Sequence, residues 1–389
     1  MLADEDRDRF ALSAVVFVVL FAQILLYPGI ADLVEALGAP PSIDAGAVFV
    51  AAEFLAYIVF AGVWGALSDS TARRVPFIVL ASALACLAYL ALALSPRTGL
   101  PFTAVLVVRF VQGAATVGAF SLAVTTLMDL GGGHGRNMGA AGVAIGAGVG
   151  FGAPVGGFVY EVGALAPLYV AALLLGIAAV LAVTVEDRAP TGERGIGRAV
   201  RRLAEAPALA VPYAFGFVDR LTAGFFALVG TFYFRETFGL GAAETGVTLA
   251  FFFAPFALLQ YPLGRLSDRV GRVPPVVAGS LAYGVAVFAV VLAPSLSGAR
   301  AAMLAVGVLG ALVAPATMAL VTDLSPSDGR GAAMAGFNVA GSLGFLAGVL
   351  VGTAVSEAYG YPVAFAVVGG AEVAIAVVAL PFLLRLDVE

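Results

Sequence analysis

The sequence contains no lysine, and all twenty of its basic residues are arginine. A phosphate-binding Gly-Lys-Ser/Thr loop needs that lysine, so the chain by itself holds no P-loop and runs on no ATP of its own. It has one cysteine, Cys86, and one histidine, His134. That excludes an intrachain disulfide, a cysteine metal cluster and a multi-histidine metal or haem site. Neither a metal nor a cofactor is expected. A membrane enzyme would need a nucleophile with its base or a set of metal ligands at membrane depth, and one histidine far from one cysteine supplies neither. Amides are almost as scarce, with two asparagines and three glutamines. A sugar requires many directional hydrogen bonds, because polar groups left unpaired in a buried site are costly. This inventory does not provide them. Charge is also low, at 12% of residues, with 25 acidic against 20 basic, and no nucleic-acid partner is expected.

What fills the chain is apolar: 61% of 389 residues are hydrophobic, and the mean hydropathy is +1.04. Soluble domains are roughly half apolar and about a quarter charged, so lipid must be the solvent. A membrane-crossing helix takes about 20 apolar residues. Apolar runs bounded by polar or Gly/Pro-rich breaks predict spans at 10–30, 46–67, 76–95, 101–125, 138–160, 164–184, 209–234, 245–265, 274–294, 300–322, 332–355 and 361–385. The acidic start MLADEDRDRF is a poor secretory signal, whose first segment should be basic, so the first span reads as retained. The longest polar stretch, 185–208, divides the chain into a six-helix bundle at 1–184 and another at 209–389.

Arginine placement orients the spans. With the N-terminus in the cytoplasm, fifteen arginines fall on the cytoplasmic side, three on the outside and two, Arg109 and Arg220, inside spans. Both termini are therefore expected in the cytoplasm, in a multi-pass protein of the cell membrane. The arginines of the 185–208 segment also suit anionic lipid headgroups.

The halves echo each other. Gly65-Ala-Leu-Ser-Asp69 recurs as Gly264-Arg-Leu-Ser-Asp268, each at the end of its half's second span, with Arg73 and Arg272 four residues on. Met128-Asp129-Leu130, Gly135-Arg136 and Gly142 match Thr322-Asp323-Leu324, Gly329-Arg330 and Gly336. Parallel six-helix repeats are a transporter architecture.

These motifs resemble the major facilitator superfamily over essentially the whole chain. Gly264-Arg-Leu-Ser-Asp268-Arg269-Val-Gly271-Arg272 fits the family's loop signature, whereas the first copy has Ser70 for the usual arginine and Ala72 for the usual glycine. Arg109-Phe-Val-Gln112-Gly113 resembles the family's R-x-x-Q-G motif. Gly148, Gly152, Pro154, Gly156 and Gly157 resemble the helix 5 motif of drug:proton antiporters, with the proline displaced by one. The resemblance implies an all-α fold of twelve helices in two pseudo-symmetric bundles, self-sufficient as a monomer, and a secondary transporter working by alternating access. It implies gating contacts at Gly65, Asp69, Arg73, Gly264, Asp268, Arg269 and Arg272, and a central cavity lined by helices 1, 4, 7 and 10.

Charges inside spans mark function by default. Arg109 and Glu53 lie at matching depth and are expected to pair, as a structural tie or as a proton-coupled switch. Asp219 and Arg220 are adjacent in the seventh span, so they point about 100° apart, and one is expected in the cavity. Glu372 reads as a partner for Arg220 or as a snorkelling acid. Gln23, Tyr27, Gln112, Phe225, Tyr233 and Met303 are the weakly polar or soft candidates for the cavity wall. Glycines crowd the fifth and eleventh spans, where they serve tight packing or the seam between moving halves. An apolar cavity with one or two charges suits a lipophilic or amphipathic solute exported against inward proton flow. The alternative is proton-coupled import or exchange of a small organic anion held by Arg109 or Arg220.

Overall fold

The computed structural model describes residues 2–131, 134–187, 207–325 and 330–385. The greater part of the 185–208 segment and the side chains of His134 and Arg330 lie outside what is described. Twelve helices are long and apolar enough to cross a membrane. They are α1 (Glu5–Ala36), α2 (Ile43–Thr71), α3 (Val75–Thr98), α4 (Phe102–Asp129), α5 (Arg136–Tyr160), α6 (Ala166–Val183), α7 (Pro207–Phe238), α8 (Ala242–Val270), α9 (Val273–Leu292), α10 (Leu296–Asp323), α11 (Ala333–Tyr359) and α12 (Tyr361–Leu383). The helices follow from the solvent: with no water to bond, backbone N–H and C=O groups must pair within their own segment. Where the chain turns, side chains take over. Ser42 Oγ accepts the Ala45 N–H at 3.2 Å at the start of α2, and Ser295 Oγ accepts the Gly298 N–H at 3.2 Å at the start of α10.

The chain forms two compact units, Met1–Gly195 with Gly241–Gly246, and Ile196–Leu240 with Val247–Glu389. Their internal packing repeats. In unit 1, α1 packs on α4, α5 and α6, and α3 packs on α4 and α6. In unit 2, α7 packs on α10, α11 and α12, and α9 packs on α10 and α12. Stripes of glycine set the closest of these contacts. Gly148, Gly152 and Gly156 bring α5 against the α1 backbone, where a Cβ on Gly156 would stand 2.2 Å from the Leu25 carbonyl oxygen. Gly344 and Gly348 do the same for α11 on α7, at 2.0 Å from the Phe217 and Leu221 carbonyl oxygens. These glycines therefore serve packing within a unit.

The first helix of each unit is interrupted. In α1, Pro28 lacks an N–H, and the chain tightens into a 3-10 turn at Tyr27–Gly29. The Ile30 N–H turns to the Tyr27 carbonyl, and the Leu26 carbonyl accepts the Tyr160 hydroxyl of α5 instead, at 2.8 Å. In α7 the helix widens into a π turn at Phe226–Gly230, and Thr231 Oγ1 donates to the Ala227 carbonyl at 3.2 Å. Each break begins within two residues of the α1 or α7 residue that abuts the last glycine of its stripe, Leu25 beside Gly156 and Phe225 beside Gly352. Interrupted spans at corresponding places in two repeats point to a transporter's binding region.

Candidate functional site

Unit 1 encloses a polar cluster within its spans. Arg109 of α4 and Glu53 of α2 are both 0% exposed, and Arg109 Nη2 donates to Glu53 Oε2 at 2.6 Å. Gln112, one turn along α4, locks the pair: its Oε1 accepts Arg109 Nη1 at 2.6 Å, and its Nε2 donates to Glu53 Oε1 at 3.3 Å and to Thr116 Oγ1 at 3.1 Å. The guanidinium lies 4.5 Å from the centroid of the Phe49 ring and 6.0 Å from that of Tyr89, cation–π distances. Gln23 and Tyr27 of α1 close the remaining side, and both are buried. Gln23 approaches Glu53 without completing a hydrogen bond. The Tyr57 and Tyr89 hydroxyls and Arg109 Nε are also buried without hydrogen-bond partners.

One residue makes the closeness possible. A Cβ on Gly113 would stand 2.7 Å from the Glu53 carbonyl oxygen. With glycine there, α4 meets α2 backbone to backbone, one residue beyond Gln112 and four beyond Arg109. The R-x-x-Q-G pattern is thus a local machine: glycine for approach, arginine for charge, glutamine as the brace.

Unit 2 carries a different set. Glu372 of α12 is 1% exposed and accepts the Thr222 hydroxyl of α7 at 2.9 Å. It neither snorkels nor pairs with Arg220; its electrostatic neighbour is Asp219. Asp219 is half-buried and Arg220 exposed. The Arg220 stem lies along α11, where its Cγ would be 3.0 Å from a Cβ on Gly341. The other residues considered for the cavity wall here are packed: Phe225 against Phe226 and Phe365, Tyr233 against Phe234, Tyr361 and Phe365, and Met303 at 0% exposure.

The loop motifs follow the second helix of each unit. In unit 2, Arg272 pairs with Asp268 and donates to Asp323 at 3.1 Å. Burial pulls the Arg272 pKa down, but the hydrogen bonds and charges of these two acids outweigh it and leave it raised. In unit 1 the equivalent partner of Asp129 is Arg74, buried at 3%, while Arg73 and Asp69 are exposed and share no ion pair. The cause is one extra residue: after the left-handed position, Ala72 at φ 50° in one copy and Gly271 at φ 85° in the other, the first copy has two arginines before Val-Pro and the second has one. The Arg74 N–H also donates to both oxygens of Asp187, at 3.1 and 3.2 Å, which caps α3 from the far end of α6. Gly65, Gly264, Arg265 and Arg269 border the same turns, with Arg265 5.3 Å from the Tyr261 ring centroid. Arg74, Asp129, Asp323, Tyr57 and Tyr89 were not among the sequence candidates; the Asp129/Asp323 echo was the available signal. In the helix 5 motif, Pro154 is accommodated within the α5 helix, and Gly157 lies against the Ala242 and Ala243 backbone, which clusters with unit 1.

A sequence profile described as the Major Facilitator Superfamily matches residues 12–241 and again 214–389. The tetracycline resistance protein, class G, of Vibrio anguillarum is 31% identical over 239 residues, 59% of this chain and 60% of that protein. The match thus spans about three fifths of that relative's length. Among solved structures, a mutant of the nucleoside transporter NupG superposes with a TM-score of 0.77 at 13% identity, over 96% of this chain and 99% of that one. The human organic anion transporter MFSD10 (TETRAN) superposes with a TM-score of 0.72 at 21% identity, over 96% and 99%. At these identities the structural likeness establishes the fold.

Proposed function

This chain belongs to the major facilitator superfamily and is a multi-pass membrane transporter, and from that premise we propose that it exports hydrophobic or amphipathic small molecules in exchange for protons. The observation that carries the reading is the sealed Glu53–Arg109–Gln112 cluster, with its 2.6 Å ion pair at 0% exposure. A buried ion pair adds little net stability against an apolar replacement, while loss of one partner is expensive. Such a pair in lipid is an electrostatic switch. A proton on Glu53 cancels its charge and leaves Arg109 uncompensated, so proton occupancy and the position of the guanidinium are linked. Alternating access then follows if substrate binding favours one of those states. The arginine-rich loops face the cytoplasm in this reading, and a single chain suffices. The partial likeness to a tetracycline resistance protein and the poverty of amides favour a lipophilic cargo.

A second reading, coupled movement of a small organic anion, is favoured by Arg220. It is exposed at mid-span and shares no ion pair among the described residues, whereas Arg109 is held in an ion pair by Glu53. Purified protein in sealed liposomes with an imposed pH gradient separates the two. Internal pH is followed as tetracycline, lipophilic cations and small organic anions are added in turn. Proton flux opposite to a lipophilic solute, lost in Glu53→Gln, supports export. Proton flux in the same direction as an anion, lost in Arg220→Gln but not in Glu53→Gln, replaces it with the second reading. No flux with any solute from folded protein removes both.

A further inference from the structure

One acid of unit 2 lacks what Glu53 has. Glu372 lies near the middle of α12, 1% exposed, and its one hydrogen bond is from a neutral hydroxyl, Thr222 Oγ1 at 2.9 Å. No arginine forms an ion pair with it among the described residues. Asp219 lies within electrostatic reach of it, which adds a second carboxylate to the neighbourhood where α7 and α9 pack on α12. The remaining groups there are oxygens as well. Tyr283 of α9 is 1% exposed and lies within reach of both acids and of Thr222. Ser280, at 0% exposure, is one turn before Gly284 on α9, and the Gly284 Cβ position would meet Glu372 Cβ at 3.1 Å. Ser280 therefore stands on the face of α9 turned toward Glu372. Its hydroxyl and Asp219 Oδ1 are both buried without a hydrogen-bond partner.

Charge balance decides what such a set is for. A lone ionised carboxylate in a low-dielectric interior is costly, and two are worse. Arg220 offsets the charge of its neighbour Asp219, but its stem is turned along α11 and it forms no ion pair with Glu372 among the described residues. The charged and titratable groups around the region are Asp219 and Arg220 on α7, Tyr283 on α9 and Glu372 on α12; α10 presents Gly310 to the Tyr283 ring. What satisfies two acids and three hydroxyls is a small cation with a taste for hard oxygen ligands, or a proton.

We propose that Asp219, Thr222, Ser280, Tyr283 and Glu372 form a monovalent-cation site in unit 2, taking H+ or Na+, distinct from the Glu53–Arg109 switch in unit 1. Half-buried Asp219 is the entrance and buried Glu372 the floor. The π turn that begins four residues after Thr222 lets α7 adjust locally, as such turns do at functional sites. The site deepens the coupled-transport reading by giving the chain a second ion site, but its occupancy is a property of the protein at rest and is measured without transport.

The test uses the full chain purified in detergent. Thermal unfolding is titrated with NaCl against choline chloride at fixed ionic strength, at an acidic and an alkaline pH, and infrared difference spectra follow protonated-carboxyl bands across a pH step. Saturable stabilisation by Na+ that protons weaken, abolished in Glu372→Gln and in Asp219→Asn and weakened about tenfold in Ser280→Ala, identifies Na+. No Na+ effect, with a carboxyl band that titrates in the parent and is missing in Glu372→Gln, identifies H+. In either case Glu53→Gln retains the signal. If the signal is absent, or survives in Glu372→Gln and Asp219→Asn, the site does not exist. Should the acid variants fail to fold, Ser280→Ala and Thr222→Val decide: unchanged affinity and band position in both overturns the proposal. Loss of transport with these signals intact would refute the export reading alone.

Discussion

At Gly113 the second and fourth helices touch through backbone atoms, and the approach of Arg109 to Glu53 depends on it. Valine there pushes its side chain into the Glu53 carbonyl at 2.7 Å or less. Overpacking of this kind costs about 1–3 kcal/mol, so Gly113→Val should lower the melting temperature and, by parting Arg109 from Glu53, abolish proton-linked flux. A melting curve and a liposome assay check the two effects separately. The neighbouring arginines at the loop after α2 offer a sharper contrast. Arg74 is 3% exposed and bound to Asp129 and Asp187, whereas Arg73 is exposed. Arg74→Ala removes the partner of Asp129, which keeps access to solvent, so a loss of about 1 kcal/mol is expected, against under about 0.5 kcal/mol for Arg73→Ala. Equal effects in thermal unfolding would mean that the sequence alignment of Arg73 with Arg272, and not the structural one, describes the motif. The alignment misled because spacing counted from Asp69 assigns the role to Arg73, and only the location of Asp129 shows that the extra residue moved it. Glu53 with Arg109 was legible for the opposite reason: both spans run the same way, so depth could be counted along each.

At the scale of a helix, α1 illustrates how a broken hydrogen-bond ladder is repaired from outside. The Leu26 carbonyl receives the Tyr160 hydroxyl because the turn at Tyr27–Gly29 diverts the Ile30 N–H. Tyr160→Phe leaves that carbonyl unpaired in a buried place, which should cost about 1–2 kcal/mol and loosen α5 from α1 around the turn. Thermal unfolding reads the first effect and hydrogen exchange of 24–36 the second; protection unchanged in that segment would show that the turn stands without its prop. The Pro28-Gly29 pair is the sequence signal for this break, although the expected span 10–30 runs through it. The π turn in α7 had no such announcement, because Phe226–Gly230 is an ordinary apolar stretch ending in glycine. The glycine stripes were visible as composition, yet which neighbour they served was not, since a stripe of small residues specifies closeness and leaves the partner open.

For the whole molecule, length and hydropathy fixed the number of spans, and the boundaries lie within several residues of those expected because Arg, Asp, Gly and Pro punctuate every run. The two units repeat their helix contacts but differ in where charge is buried well within the spans, as a pair on α2 and α4 in one and as a single acid on α12 in the other. A comparison of the halves as sequences shows the matching loops first and hides this divergence, because single polar residues scarcely change an apolar run. Sidedness follows from the loops as well. With Cys86→Ala as a cysteine-free parent, cysteine at Asp69 or Asp268 should react with a membrane-impermeant maleimide only from the side that holds both chain ends, and cysteine at Thr98 only from the other. Labelling of Asp69 and Asp268 from opposite faces would reverse the parallel repeat.

The two interrupted helices also oppose each other in torsion. A 3-10 turn advances about 120° per residue where an α-helix advances about 100°, so three residues at Tyr27–Gly29 overwind α1 by roughly 60°. The π turn of α7 is underwound. Relaxation of either to plain α-helix would swing the outer part of its span about its own axis, one clockwise and the other counter-clockwise, carrying every side chain beyond the break to a new bearing. The two spans thus carry turns of opposite winding at corresponding points in a duplicated frame.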